Sequence, residues 1–348
     1  PAGYNDTILN ALASGQGPDV FTLPSSDIGS YKDKLSPAPA EVTPLLVSDR
    51  FPKAVESDVI DSAQVYGLPL SLDTLHLIYN RDLLDGAGIT SPPATWDALV
   101  SQIESLRSID FQGQVTQSAI ALGGTAQSVP YSDAILSLLM LQNGASLSNQ
   151  AHTLVDIGEQ GERALLFYSQ FANPNSNAYT WSDQLGSAPS LFAEGKVAML
   201  IGYPGTLEAI RSQNPFIDAR LAPVPQTDSG TPRSFGHYPL LVASKQGQNA
   251  LWAWDFIQST TLNSTLAGNY ATASNRSPAL RELIDSNIQN PETKISATQS
   301  LQARSWFQWD GNAVAREFDR AISEITNGVF DSNRAARTLE QRLRALIR

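Results

Sequence analysis

Short apolar stretches of strand length alternate with longer helical stripes from one end of this chain to the other, and that alternation points to an α/β fold. Asp19-Val-Phe-Thr-Leu23 reads as a strand broken by Pro24. Leu75 to Tyr79, Ala119 to Leu122, Ala198 to Ile201 and Leu240 to Ala243 have the same character. Between them, Trp96, Leu99, Val100, Ile103 and Leu106 recur at helical spacing behind a Thr95 cap. Ser132 to Gln142 is closed by Asn143-Gly144, and the stripe Val314, Phe318, Ile322, Ile325 ends at Asn327-Gly328. Short strands separated by helices predict largely parallel sheets covered on both faces.

The chain has 348 residues, enough for two globular units or one discontinuous one. No apolar run approaches the roughly 18 residues that span a bilayer. Net charge is −11, and arginines gather only near the end, at Arg334, Arg337, Arg342, Arg344 and Arg348. They alternate with apolar positions on a helical pattern, which reads as a solvated face rather than a nucleic-acid patch. Absence of cysteine removes disulfides, thiolate metal sites and cysteine nucleophiles. The three histidines, His76, His152 and His237, form no metal-ligand spacing. No nucleophile elbow, phosphate loop or dinucleotide fingerprint follows a strand. Any two of the 34 acids could still meet as a hydrolytic pair, so an enzyme stays open without being indicated.

Three segments, in order, carry a signature. They are Ala11-Leu-Ala-Ser-Gly-Gln-Gly-Pro-Asp-Val20, the run Tyr66 to Leu84 continuing through Ala87-Gly-Ile89 to Thr95-Trp-Asp97, and Phe192-Ala-Glu-Gly-Lys-Val-Ala-Met199 followed by Leu221-Ala-Pro-Val-Pro225. Together they resemble the extracellular solute-binding proteins of ATP-binding-cassette importers, in the group that includes maltose- and oligosaccharide-binding proteins. The resemblance covers essentially the whole chain. It implies an α/β, two-lobed periplasmic-binding-protein-like fold of type II, its discontinuous lobes joined by a hinge. Residues 1–72 and 239–272 are expected to form lobe I, and 73–238 with 273–348 lobe II. Family members carry a first strand and most of a first helix ahead of the Gly-Pro-Asp segment. Without them, the edge of the first sheet is expected to stand unpaired unless another segment covers it. Pro1 with no preceding Met leads to the expectation that residues lie upstream, including a signal sequence or lipid-anchored cysteine.

Candidate ligand contacts follow from the strand ends and crossings. Ser25, Ser26 and Asp27 sit at the carboxyl end of the first strand, where open α/β sheets place ligands. Asp73 falls at the first crossing, where the resemblance implies an acid that accepts hydrogen bonds from sugar hydroxyls; the bland alternative is a turn cap. Tyr203 follows a strand where the resemblance implies an aromatic platform for a sugar ring. Trp309 is preferred over Trp306 ahead of the penultimate helix, Tyr238 over His237 at the return crossing, and Trp181 is a loop candidate. Arg276 at the third crossing reads better as a partner for a nearby acid than as an anion ligand. No cofactor, metal or nucleic acid is expected.

The implied role is capture of a small polar solute, a sugar or oligosaccharide, by hinge closure on the periplasmic or extracellular face of a membrane, with delivery by a monomer to permease subunits. Alternatives are a polyamine, peptide or other solute, and a carbohydrate-active hydrolase. Aromatics with neutral polar neighbours favour carbohydrate, whereas a cleft dominated by acids favours cations.

Overall fold

The computed structural model describes residues 3–149, 151–227 and 230–347, so that Arg348, counted with the terminal arginines above, and Pro1 lie outside the described residues. Two sheets carry the fold. In the first, Pro239–Ser244 is central, flanked by Val20–Pro24 on one side and by Leu35–Ser36 and Leu68–Pro69 on the other. In the second, the order is Ala219–Pro223, His76–Asn80, Val197–Gly202, Val115–Ala121 and Ser108–Ile109. His76–Asn80 and Val197–Gly202 are buried along their whole length, which is why both read as uninterrupted apolar runs.

The expected predominance of parallel pairing is corrected. Among the described strands only Val115–Ala121 with Val197–Gly202, and Ser234–His237 with Ala303–Arg304, run parallel. The other pairings are antiparallel, because strands enter each sheet from opposite ends. Pro239–Ser244 leaves the crossing and runs away from it, while Val20–Pro24 runs toward it, Val20 facing Ala243 and Pro24 facing Pro239.

Helices form where the sequence marks their ends. Thr95 Oγ1 accepts from the Ala98 N–H at the start of Trp96–Leu106, and Asp310 caps Gly311–Thr326 through the Ala313 N–H. Gly195 turns the chain from helix to strand at φ +75°. Gly311–Thr326 buries Val314, Phe318, Ala321 and Ile322, and packs on Ser132–Gln142, Gly158–Ser169 and Ser332–Arg344. Among the described residues no helix is long and apolar enough to cross a membrane.

At the edge of the first sheet, Thr22 turns its backbone outward, and the Tyr4 hydroxyl meets it there. That hydroxyl donates to Thr22 O and accepts from Thr22 N–H and Oγ1. Strand Asp73–Thr74 pairs with Ser234–His237, and with Ala303–Arg304 they form a small sheet between the two large ones. Three separate stretches of chain therefore pass at one place. Behind them, Asp58 on Lys53–Val59 is buried and accepts a 2.6 Å hydrogen bond from Tyr238 Oη. Burial pushes the Asp58 carboxyl up to about 8, against smaller opposing contributions from Tyr238 and Ser305.

Candidate functional site

The strand ends of both sheets and the small crossing sheet converge on an inner pocket of about 190 Å³. Its walls come from five places. Ser25 and Ser26 arrive because Pro24 ends the first strand and the chain enters a short 3-10 turn. Tyr131, Asp133 and Ala134 stand at the head of Ser132–Gln142, and Tyr203 follows Val197–Gly202. His237 belongs to the crossing strand, while Gln308, Gly311 and Asn312 lead into Gly311–Thr326. His237 and Asn312 also line an outer groove of about 550 Å³ that runs past Thr22, Pro24 and Arg276, so the pocket opens into a longer trough.

Two tyrosines dominate the inner wall. Tyr131 is 41% exposed and holds its backbone at φ +63°, a left-handed conformation that a bulky residue adopts only when its surroundings impose it. Its ring meets that of Tyr203 edge-on at 4.9 Å between centroids, and the His237 imidazole lies 5.7 Å from Tyr203. The result is an aromatic surface bordered by serine, asparagine and glutamine. His237 is solvent-exposed, but the protein around it, and then the Arg276 cation, push its pKa down, so it stands as a neutral donor and acceptor. Asp133 is partly buried; that burial raises its pKa, its own helix N–H groups oppose the rise, and Asp319 adds to it.

Of the eight side chains singled out in the sequence, Ser25, Ser26 and Tyr203 line this pocket. Asp27 lies just behind it, taking hydrogen bonds from Asn5, Ser26 and the Gly311 N–H; burial and then Asp310 raise its pKa. Asp73 pairs across the strands with His237, but its carboxylate is held by Arg276 at 2.9 Å, the local partnership expected of that arginine.

The other three turn away, and each needs correcting. Tyr238 is fully buried on Asp58 and Ala54 O, because side chains alternate along a strand and it is His237 that faces the cleft. Trp181 is fully buried and donates its indole N–H to Ser128 Oγ at 2.9 Å, bracing the loop before Tyr131 from below. Trp309 packs edge-on against Phe307 and donates to His152 O, leaving only its neighbours Gln308 and Gly311 in the pocket wall.

Sequence reasoning missed Tyr131, Asp133 and Asn312. A signal for the first two was present in Gly123-Gly124 after a strand and Pro130-Tyr-Ser-Asp133 before a helix, the position where α/β folds present ligand groups.

Gly29 sits where no side chain fits. A Cβ there would come within 2.5 Å of Gln308 O and 2.7 Å of Trp309 Cα. The turn after the first strand and the lead-in to Gly311–Thr326 thus meet backbone to backbone beside the pocket.

A family model described as bacterial extracellular solute-binding protein matches residues 2–263. The galactooligosaccharide-binding protein of Bacillus subtilis (strain 168) is 23% identical over 224 residues, which is 62% of this chain and 49% of that protein. The chain spans about half the length of the curated relatives it matches. A solved cyclo/maltodextrin-binding protein complexed with maltotetraose superposes with a TM-score of 0.77 at 18% identity, covering 99% of this chain and 87% of that one. The GacH receptor of Streptomyces glaucescens GLA.O, solved unliganded and with acarbose, does so at 0.76 and 21%, covering 99% and 88%. At such identities the likeness establishes a shared fold.

Proposed function

The chain belongs to the bacterial extracellular solute-binding protein family, and from that premise we propose that it captures a saccharide in the trough between its two sheets and hands it to a membrane permease. The family is one of binding proteins, not of enzymes. The observation that carries the saccharide is Tyr131: an exposed ring, held by a costly backbone conformation and braced by Tyr203, with serine, asparagine and glutamine side chains in the same pocket wall. A sugar ring lays its C–H face on such a surface while its hydroxyls reach the polar rim. Structural neighbours crystallised with maltotetraose and with acarbose support this reading.

The division into 1–72 with 239–272 and 73–238 with 273–348 is proposed as the two bodies that close on the ligand, the three crossings acting as the hinge. Closure responds to a ligand only through its differential affinity for the closed form. A hydrolase needs two carboxylates facing across the bound sugar, and among the residues lining the inner pocket Asp133 is the single acid.

Tyr131→Gly separates binding from folding. Glycine accepts the left-handed backbone that tyrosine pays roughly 1 kcal/mol to hold, so the unliganded protein should melt no lower than wild type. Saccharide affinity should fall about threefold to tenfold with the lost ring contact, worth roughly 0.5–1.5 kcal/mol. Calorimetry and thermal melting of both proteins read the two quantities; a variant that melts much lower marks the ring as core. In a thermal-shift screen of saccharides, polyamines and short peptides, a ligand at a hundred times its Kd stabilises by roughly 2.7 kcal/mol. A shift from saccharides supports the reading, and shifts from polyamines or peptides alone overturn it.

A further inference from the structure

The inner pocket has one-sided charge. Among the residues lining it none is lysine or arginine, and its single charged side chain is Asp133. Among the described residues the Asp133 carboxyl forms no ion pair; what it meets are the N–H groups of its own helix start and the like charge of Asp319. Arg276, the cation of the adjoining groove, is taken by Asp73. At His237 the surrounding protein, and then Arg276, hold the imidazole pKa down. Behind the opposite wall stand two more acids, Asp27 and Asp310, close enough to repel each other.

A wholly neutral sugar closing this pocket would strip water from Asp133 and return only hydroxyl donors. Removing an ion from water without a counter-charge costs several kcal/mol, whereas an ion pair with good geometry offsets much of it. The tyrosine faces beside Asp133 add to the preference, because an aromatic face attracts a cation within roughly 6 Å.

Resting on the saccharide reading above, we infer that the captured solute carries a protonated amine on the unit that enters the inner pocket, an amino sugar paired with Asp133. The ammonium donates to the Asp133 carboxylate, the ring lies against Tyr131, and the remaining units extend along the outer groove past Arg276.

Isothermal titration of the full chain tests this with matched disaccharides in gluco, galacto and manno series: free-amine, N-acetylated, and plain hydroxyl. The free-amine member of one series should bind at least tenfold more tightly than its N-acetylated and hydroxyl counterparts. Acetylation removes the charge on the ligand side and leaves the protein untouched, so this comparison does not depend on any variant folding. Asp133→Asn should bring the amine-to-hydroxyl ratio close to one, whatever it does to hydroxyl-sugar affinity; a variant that keeps the wild-type ratio while weakening all three ligands alike counts against the pairing. Hydroxyl or N-acetyl sugars binding as tightly as amines overturn the inference and leave saccharide capture standing. Spermidine binding with no saccharide bound, or no saccharide binding in any series, overturns both.

Discussion

Asp58→Asn should gain stability relative to wild type as the pH rises from 4, and be the more stable of the two at pH 8. The Asp58 carboxyl is buried against Tyr238 where the chain crosses between sheets, and its folded pKa is pushed up to about 8 from a starting value of 3.8. Between those two values the folded protein keeps a proton that the unfolded chain releases. Stability must then fall as pH rises, since the folded state binds more protons than the unfolded one. At pH 7 the penalty is on the order of 4 kcal/mol, from about three pH units at roughly 1.4 kcal/mol each. Asparagine cannot ionise and escapes it. Its carbonyl can still accept from Tyr238 Oη, while its amide takes the place of Oδ1. A poorly placed amide costs about 1–3 kcal/mol, so a net gain remains. The measurement is urea unfolding of both proteins from pH 4 to pH 8, read as their difference, which cancels other titrating groups. A variant uniformly less stable at every pH would mean that the native carboxylate is charged and well partnered.

Gly29→Ala should weaken ligand binding by about tenfold to a hundredfold. The new methyl would have to occupy space within 2.7 Å of the Gln308–Trp309 backbone, which has no flexible end to swing aside. Overpacking of this kind costs about 1–3 kcal/mol. If the two bodies part there when the trough opens, that cost falls on the closed form alone and appears as lost affinity rather than lost fold. Gly86→Ala is the control, since a Cβ at Gly86 meets nothing within 4 Å. Calorimetric titration with the ligand found in the screen, alongside unliganded melts, decides the matter. Normal affinity in Gly29→Ala would show that this contact is absent from the ligand-bound form. An equally large fall in melting temperature would show that it never opens.

Much of the architecture is legible in the residues because local chemistry dictates it. Asn143-Gly144 stops Ser132–Gln142, Thr95 starts Trp96–Leu106, and the Gly195 turn separates helix from strand. Strand direction is not legible, because it depends on partners far away in the chain. The choice between His237 and Tyr238 turns on parity: a strand says that neighbours face opposite ways, but only the assembled crossing says which face is the cleft. Trp309 misleads for a related reason. Its loop-like neighbours do reach the pocket, while the indole, long enough to reach His152 O, turns the other way. Pro130-Tyr-Ser-Asp133 marks the helix entry that presents Tyr131, but its left-handed backbone is not legible there, because neighbouring structure imposes it.

The pairing of Val20–Pro24 with Pro239–Ser244 also has a consequence for how the polypeptide is born. The centre of the first sheet is supplied long after its edge, and the crossing is completed only by Ala303–Arg304. A growing chain leaving the ribosome cannot complete the first sheet or the crossing early, since loop-closure entropy must be paid before distant contacts return anything. Val20–Pro24 waits without its partner strand until Pro239–Ser244 has been made. Closure of the first sheet and of the crossing is therefore a late event in synthesis.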